Sequence, residues 1–220
     1  MNWKFLRKMS FLDKRAAVVN TVPYGGNLLD LGCSDCRTLN HFIELRPDLH
    51  FSAVDLCDFQ ARIPDNVVFR KLDLVTDELP FASESMDLIT MMQLMEHLKE
   101  PGIMPAEVAR VLKPGGRFYV EGPGARSLLF PRGVRNFTFN FYDDPTHVTP
   151  LSHDGIISVF EHVGLTPVCK GFSRSWPLIL GLPFSVVKLD RERILAGIVH
   201  LFGWSIFVEL VKKQEVTTLK

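Results

Sequence analysis

A chain of 220 residues with 46% apolar content is long enough for one α/β domain with a sizeable core. Its 25 basic and 25 acidic side chains cancel to a net charge of +0, which leaves no global electrostatic footprint for a nucleic-acid partner. The four cysteines, Cys33, Cys36, Cys57 and Cys169, make no disulfide framework, so a reducing, cytoplasmic setting is expected.

Met1 to Arg15 interleaves Trp3, Phe5, Leu6, Phe11 and Leu12 with Lys4, Arg7, Lys8, Lys14 and Arg15. Charges interrupt it too often for a signal-peptide core. It predicts an amphipathic helix that packs on the domain or rests on an anionic membrane surface. This N-terminal helical region covers residues 1–22, and Pro23 with Gly25-Gly26 breaks it. A strand is predicted over 27–31 and a helix after it, with Leu39, Phe42, Ile43 and Leu45 at helical spacing up to Pro47. Further strands are predicted at 51–55, 67–73, 87–92 and 117–121, the first two of these ending on Asp55 and Asp73. Met104, Val108, Val111 and Leu112 mark a helix that Lys113-Pro114-Gly115-Gly116 stops. Strands alternating with helices imply a doubly wound, mostly parallel sheet whose ligands sit at the carboxyl ends of the strands. Asp30, Asp55, Asp73 and Gln93 would then face one crevice.

The chemistry centres on Leu28 to Arg37. An apolar run ends on Asp30, and Gly32, Ser34 and Cys36 follow before a helix. The dinucleotide fingerprint G-x-G-x-x-G does not fit this spacing. A carboxylate just before the turn would repel a pyrophosphate but attract an amine or a sulfonium. Cys33-x-x-Cys36 lacks the second pair of ligands that a zinc site wants, so no metal is expected. An ordinary strand–turn–helix corner accounts for the stretch equally well.

At this point the chain resembles the class I S-adenosylmethionine-dependent methyltransferases, whose first strand is followed by an acidic residue and G-x-G-x-G. Asp30-Leu31-Gly32 matches, with Ser34 and Cys36 in place of the second and third glycines. Leu79-Pro80-Phe81 to Asp87-Leu88-Ile89, Met95-Glu96-His97-Leu98 and Glu107 to Gly116 are similar to further family segments in the family's order, covering about half the chain. The resemblance implies a seven-stranded Rossmann-like sheet and S-adenosyl-L-methionine as cofactor. It implies contacts from Asp30, Gly32, Cys33 and Ser34, from Asp55 and Leu56 to the ribose, from Asp73 and Leu74 to the adenine, and from Gln93 and His97. Bland roles remain open: Asp55 and Asp73 as solvated strand ends, Gln93 as a helix cap, His97 as a structural residue.

After Gly122-Pro123-Gly124 an insert over 123–153 carries Arg126, Arg132 and Arg135 among aromatic residues and ends in Asp143-Asp144-Pro145-Thr146-His147. It would cover the mouth of the crevice as a lid, and it resembles a segment of bacterial glycan-assembly methyltransferases. His147 beside Asp143 and Asp144 is the candidate base for a hydroxyl acceptor, with a carboxylate to orient the ring; capping of the loop is the other role. The three arginines would hold an acceptor phosphate or carboxylate, or are solvated. A helix over 154–163 and a strand at 166–170 follow. The apolar segment 176–203 precedes a last strand at 205–212, and the stretch 194–211 raises the question of a membrane span. A helix to residue 201 and then the strand is the preferred reading, with peripheral membrane contact through the tail as a sharper one. The expectation is a single α/β domain over 1–220 that moves a methyl group to an oxygen of a small-molecule or glycan acceptor. A non-catalytic partner subunit of the same fold, or an RNA methyltransferase, are the alternatives.

Overall fold

The computed structural model describes residues 6–134 and 138–214. Seven strands form one sheet: β1 (Asn27–Leu31), β2 (His50–Asp55), β3 (Val67–Lys71), β4 (Met86–Met92), β5 (Leu112–Pro123), β6 (Leu165–Phe172) and β7 (Ser205–Lys212). Their order is β3-β2-β1-β4-β5-β7-β6. The first five pair in parallel, and β7 inserts antiparallel between β5 and β6. The order reverses between β1 and β4, so a crevice opens there at the carboxyl ends of the strands.

Strand periodicity divides the core. Leu28, Phe51, Ala53 and Leu88 face one side, where Leu39, Phe42 and Leu45 of helix α2 (Arg37–Leu45) and Val18 and Val19 of helix α1 (Lys14–Val19) cover them. Leu29, Leu31, Val54, Ile89 and Met91 face the other, under Val108 and Val111 of α3 (Met104–Val111) and Ile156 and Phe160 of α4 (His153–Glu161). Phe42 and Phe160 are fully buried; each such side chain contributes about 1.5–3 kcal/mol relative to exposure.

Asp87 ties the strand starts together: its carboxylate accepts the Asn27 N–H at 2.8 Å and pairs with Lys113 at 2.7 Å. Glu107 accepts the Leu79 N–H at 2.7 Å, while Arg110 donates to the carbonyls of Leu79 and Phe81.

Some boundaries differ from the pattern-based expectation. The N-terminal helix is short. Ser10–Leu12 forms a 3₁₀ turn, and α1 begins only after Asp13, whose carboxylate accepts the Arg15 and Ala16 N–H groups. Trp3, Lys4 and Phe5 lie outside the described residues, as do Arg135 and Phe137. β3 stops at Lys71, so Asp73 sits two residues past it. There its carboxylate accepts the Val75 N–H in a local turn. β5 starts at Leu112 and runs through the Lys113 to Gly116 stretch, with a register shift before Arg117.

The apolar tail folds as three helices, α5 (Trp176–Leu180), α6 (Leu182–Val187) and α7 (Arg191–Phe202), and then β7. Gly203, at φ +66°, turns the chain from α7 into β7, and this turn divides the stretch that raised the membrane question. No helix among the described residues is long and apolar enough to cross a membrane.

Candidate functional site

The turn after β1 is built on three left-handed residues at alternate positions: Gly32 at φ +72°, Ser34 at +48° and Cys36 at +56°. A β-carbon at Gly32 would meet the Leu94 side chain at 2.8 Å, so any other residue there would be strained and would displace Leu94. Ser34 and Cys36 adopt the backbone that glycine would favour, at a cost of about 1 kcal/mol each. The Gly32 and Cys33 N–H groups donate to the Val54 carbonyl at 2.9 and 3.2 Å. Asp55 completes the clamp: its two carboxylate oxygens accept the N–H groups of Ser34 and Cys57, both at 2.9 Å. Strand-end Asp55 thus holds the turn's shape and still has lone pairs to spare.

Beside this turn lies a cleft of about 450 Å³ lined by Asp30, Gly32, Cys33, Ser34 and Gln93. Arg15, Glu121, His200 and Trp204 complete its walls. Asp30 is 3% exposed, and the Thr90 hydroxyl donates to it at 2.6 Å. Burial pushes its carboxyl up to about 7; the Asp55 charge adds to this and the Thr90 hydrogen bond opposes it. Glu121 accepts the Tyr119 hydroxyl at 2.7 Å and lies 3.5 Å from Arg15 Nε, a buried nitrogen with no hydrogen-bond partner. The neighbouring Glu121 and Asp13 charges hold the Arg15 guanidinium firmly ionised against the opposing effect of burial. A buried carboxyl and a guanidinium therefore share one cleft. This is the complement of a zwitterionic amino-acid group, as the methionine part of S-adenosylmethionine presents.

The other expected contacts fall elsewhere. Leu56 is exposed and Leu74 is buried in the core, and neither they nor Asp73 line this cleft. Asp55 joins it only through Ser34. His97 lies in a separate cluster with Glu96 and His147, its ring centroid 4.7 Å from that of His147. Arg15 and Glu121 were not singled out from the sequence. Glu121 carried a signal, since it follows an apolar run as Asp55 follows its own; Arg15 was one charge among several.

In the second cluster, His147 Nδ1–H donates to the Phe141 carbonyl at 2.6 Å. That carbonyl, rather than Asp143 or Asp144, orients the ring and leaves Nε2 as the acceptor nitrogen. Asp143 instead accepts N–H groups of Gly133, Phe139 and Asn140, closing its own loop. Glu96 is 1% exposed, and burial pushes its carboxyl up to about 8. Burial lowers the His97 imidazole.

Between the insert and α7 lies an apolar cavity of about 720 Å³, lined by Leu129, Phe130, Phe139, Leu195, Ile198 and Phe202. Arg126 closes one side, its guanidinium 3.9 Å above the Phe172 ring and bonded to the Phe202 carbonyl at 3.1 Å. Arg132 lies over Tyr142 at 4.6 Å. Both arginines are thus engaged with aromatic rings.

Residues 29–120 match the protein family described as a methyltransferase domain. The bifunctional biotin-biosynthesis protein BioHC of Teredinibacter turnerae is 28% identical over 76% of this chain, which spans 30% of that longer protein's length. A ubiquinone biosynthesis O-methyltransferase of Pseudomonas putida is 22% identical over 75% of this chain and 77% of its own. Among solved structures, the methyltransferase in complex with the Haloferax volcanii Trm112 methyltransferase activator superposes with a TM-score of 0.67 at 18% identity. The match covers 96% of this chain and 94% of that one. At that identity the likeness speaks for the fold.

Proposed function

We propose that this chain is a class I, S-adenosylmethionine-dependent methyltransferase that transfers a methyl group to an oxygen of a small, partly apolar acceptor; the match of residues 29–120 to a methyltransferase domain supports the family part of this reading. The observation that carries this reading is the cleft at the switch point, where Asp30 and Arg15 offer opposite charges beside the Gly32 turn. Arg15 would take the carboxylate of the methionine part and Asp30 its ammonium. Ser34 and Gly32 allow close approach of the backbone, and Asp55 keeps acceptor capacity for ribose hydroxyls. Bound S-adenosylmethionine supplies an electrophilic methyl group on a cationic sulfur.

The rest falls to residues of the insert and α7. The apolar cavity beside Phe139 and Phe202 accommodates the hydrocarbon part of an acceptor and keeps water away. His147 Nε2 would take the hydroxyl proton, a role supported by the commitment of Nδ1 to the Phe141 carbonyl. An oxygen acceptor agrees with the name of the Pseudomonas putida relative, and the exposed Phe184, Val187 and Leu189 on α6 and the turn after it suit a substrate drawn from a membrane surface.

The test is a methyl-labelled cofactor presented with phenols, sugars and lipid-linked hydroxyl compounds. Label recovered as a methyl ether supports the reading. Label on nitrogen, sulfur or RNA overturns it, as does a calorimetric titration with S-adenosylhomocysteine that gives no heat.

A further inference from the structure

One carboxylate oxygen of Glu96 and one ring nitrogen each of His97 and His147 lie within 4.8 Å of one another. The first two residues follow β4, and the third comes from the insert. Both rings have Nδ1 engaged. His147 donates to the Phe141 carbonyl, and His97 Nδ1 lies 2.8 Å from Thr146 Oγ1. The Thr146 hydroxyl gives its proton to Asp144, so in that contact the His97 nitrogen is the donor. Each ring is therefore held in the tautomer with Nε2 free, as outer partners hold metal-ligating histidines.

A second observation is independent of the rings. Glu96 is 1% exposed, yet neither of its carboxylate oxygens has a hydrogen-bond partner. A buried carboxylate left in that state is costly and asks for a partner. Gly122 packs closely against this carboxylate: a β-carbon there would stand 2.7 Å from Glu96 Oε2.

We propose that Glu96, His97 and His147 bind a divalent transition-metal ion of the zinc class. Two imidazoles and a carboxylate favour such an ion over magnesium or calcium, which prefer all-oxygen sites. Three protein ligands leave a coordination position open. The ion would also tie the insert to the loop after β4. The inference rests on the reading of this cluster as the acceptor end of the site, and deepens it: the open position would polarise the acceptor oxygen, and the His147 lone pair becomes a ligand.

Full-length protein stripped with a chelator is titrated with zinc chloride by calorimetry, and separately with S-adenosylhomocysteine. The expected result is one zinc bound per chain. In Glu96→Gln and His97→Gln binding weakens by about 100-fold or more, since even outer-partner changes cost about 10- to 100-fold. Thr146→Val, which touches only the outer partner, weakens it by about tenfold, and thermal melting checks that each variant is folded. Absence of stoichiometric zinc binding, or equal binding by all folded variants, overturns the site. Zinc bound without any S-adenosylhomocysteine binding supports the site and sinks the methyltransferase reading; the converse result does the reverse.

Discussion

Residues 27–122 and residues 123–203 are built on different principles. The first region is a relay of strands and helices whose polar backbone is consumed in ladders between neighbours. Its motif carboxylates mostly serve the scaffold: Asp87 binds the start of β1, Glu107 the Leu79 segment, Asp55 the turn. The second region joins the sheet through β6, and its insert is held largely by isolated contacts between distant residues. Trp204 Nε1 donates to the Phe139 carbonyl at 2.7 Å, and Val148 N–H to the Glu96 carbonyl at 2.8 Å. It also leaves large apolar side chains in solvent, with Leu129 83% and Phe202 58% exposed. The difference teaches that the first region is braced by its ladders, while the second leaves apolar surface open beside the sheet.

If the two regions divide the labour, their variants should separate binding from turnover. His147→Ala removes a group assigned above to the acceptor oxygen, as base or as metal ligand, and should lower kcat by about 10²-fold or more. S-adenosylhomocysteine affinity should stay at the wild-type value by calorimetry. A matching loss of affinity would show that the regions are not separate.

The next largest effect concerns Asp30, whose folded pKa of about 7 lies above the ordinary carboxylate value. The folded protein then holds a proton that the unfolded chain has lost. Its contribution to stability is full below about pH 4 and declines as pH rises to about 7, by on the order of 4 kcal/mol at 1.36 kcal/mol per unit. Denaturant titrations of Asp30→Asn should show a flatter profile over this window and greater stability than wild type at pH 8. Parallel profiles would refute the buried-carboxyl assignment.

Asp55→Ala removes two charge-assisted hydrogen bonds from the turn and a ribose acceptor, so S-adenosylhomocysteine should bind about 10- to 100-fold more weakly. Unchanged affinity would dissociate β2 from the donor end. The smallest effect is expected from Cys36→Gly. It relieves a left-handed residue but loosens the unfolded chain, so stability should move by less than about 1 kcal/mol. A loss of several kcal/mol would mean that the buried thiol packs in a way its backbone does not require.

The same contrast governs what could be read from the sequence. β1, with bounds Asn27–Leu31, and β7, with bounds Ser205–Lys212, were legible because a short apolar run between flanking breakers is a local signal. Asp30, Gly32 and Ser34 were legible for the same reason: they lie within one turn. The end of β3 was placed two residues late, at Asp73, because an apolar pattern does not say where hydrogen bonding stops; the Asp73 carboxylate accepts the Val75 N–H in a local turn. The grouping of Glu96, His97 and His147 was hidden, because about fifty residues separate its parts and only tertiary packing joins them. The partner of the His147 ring was hidden too, being a main-chain carbonyl that any residue type could supply.

The Asp30–Thr90 pair has a calorimetric consequence. Near neutral pH this carboxyl is poised between its two states, and an ammonium brought against it selects the ionised one. Ligand capture therefore expels a fraction of a hydrogen ion into solution. The apparent enthalpy should then differ between phosphate and Tris in proportion to their heats of ionisation. The slope of that dependence counts the ions released.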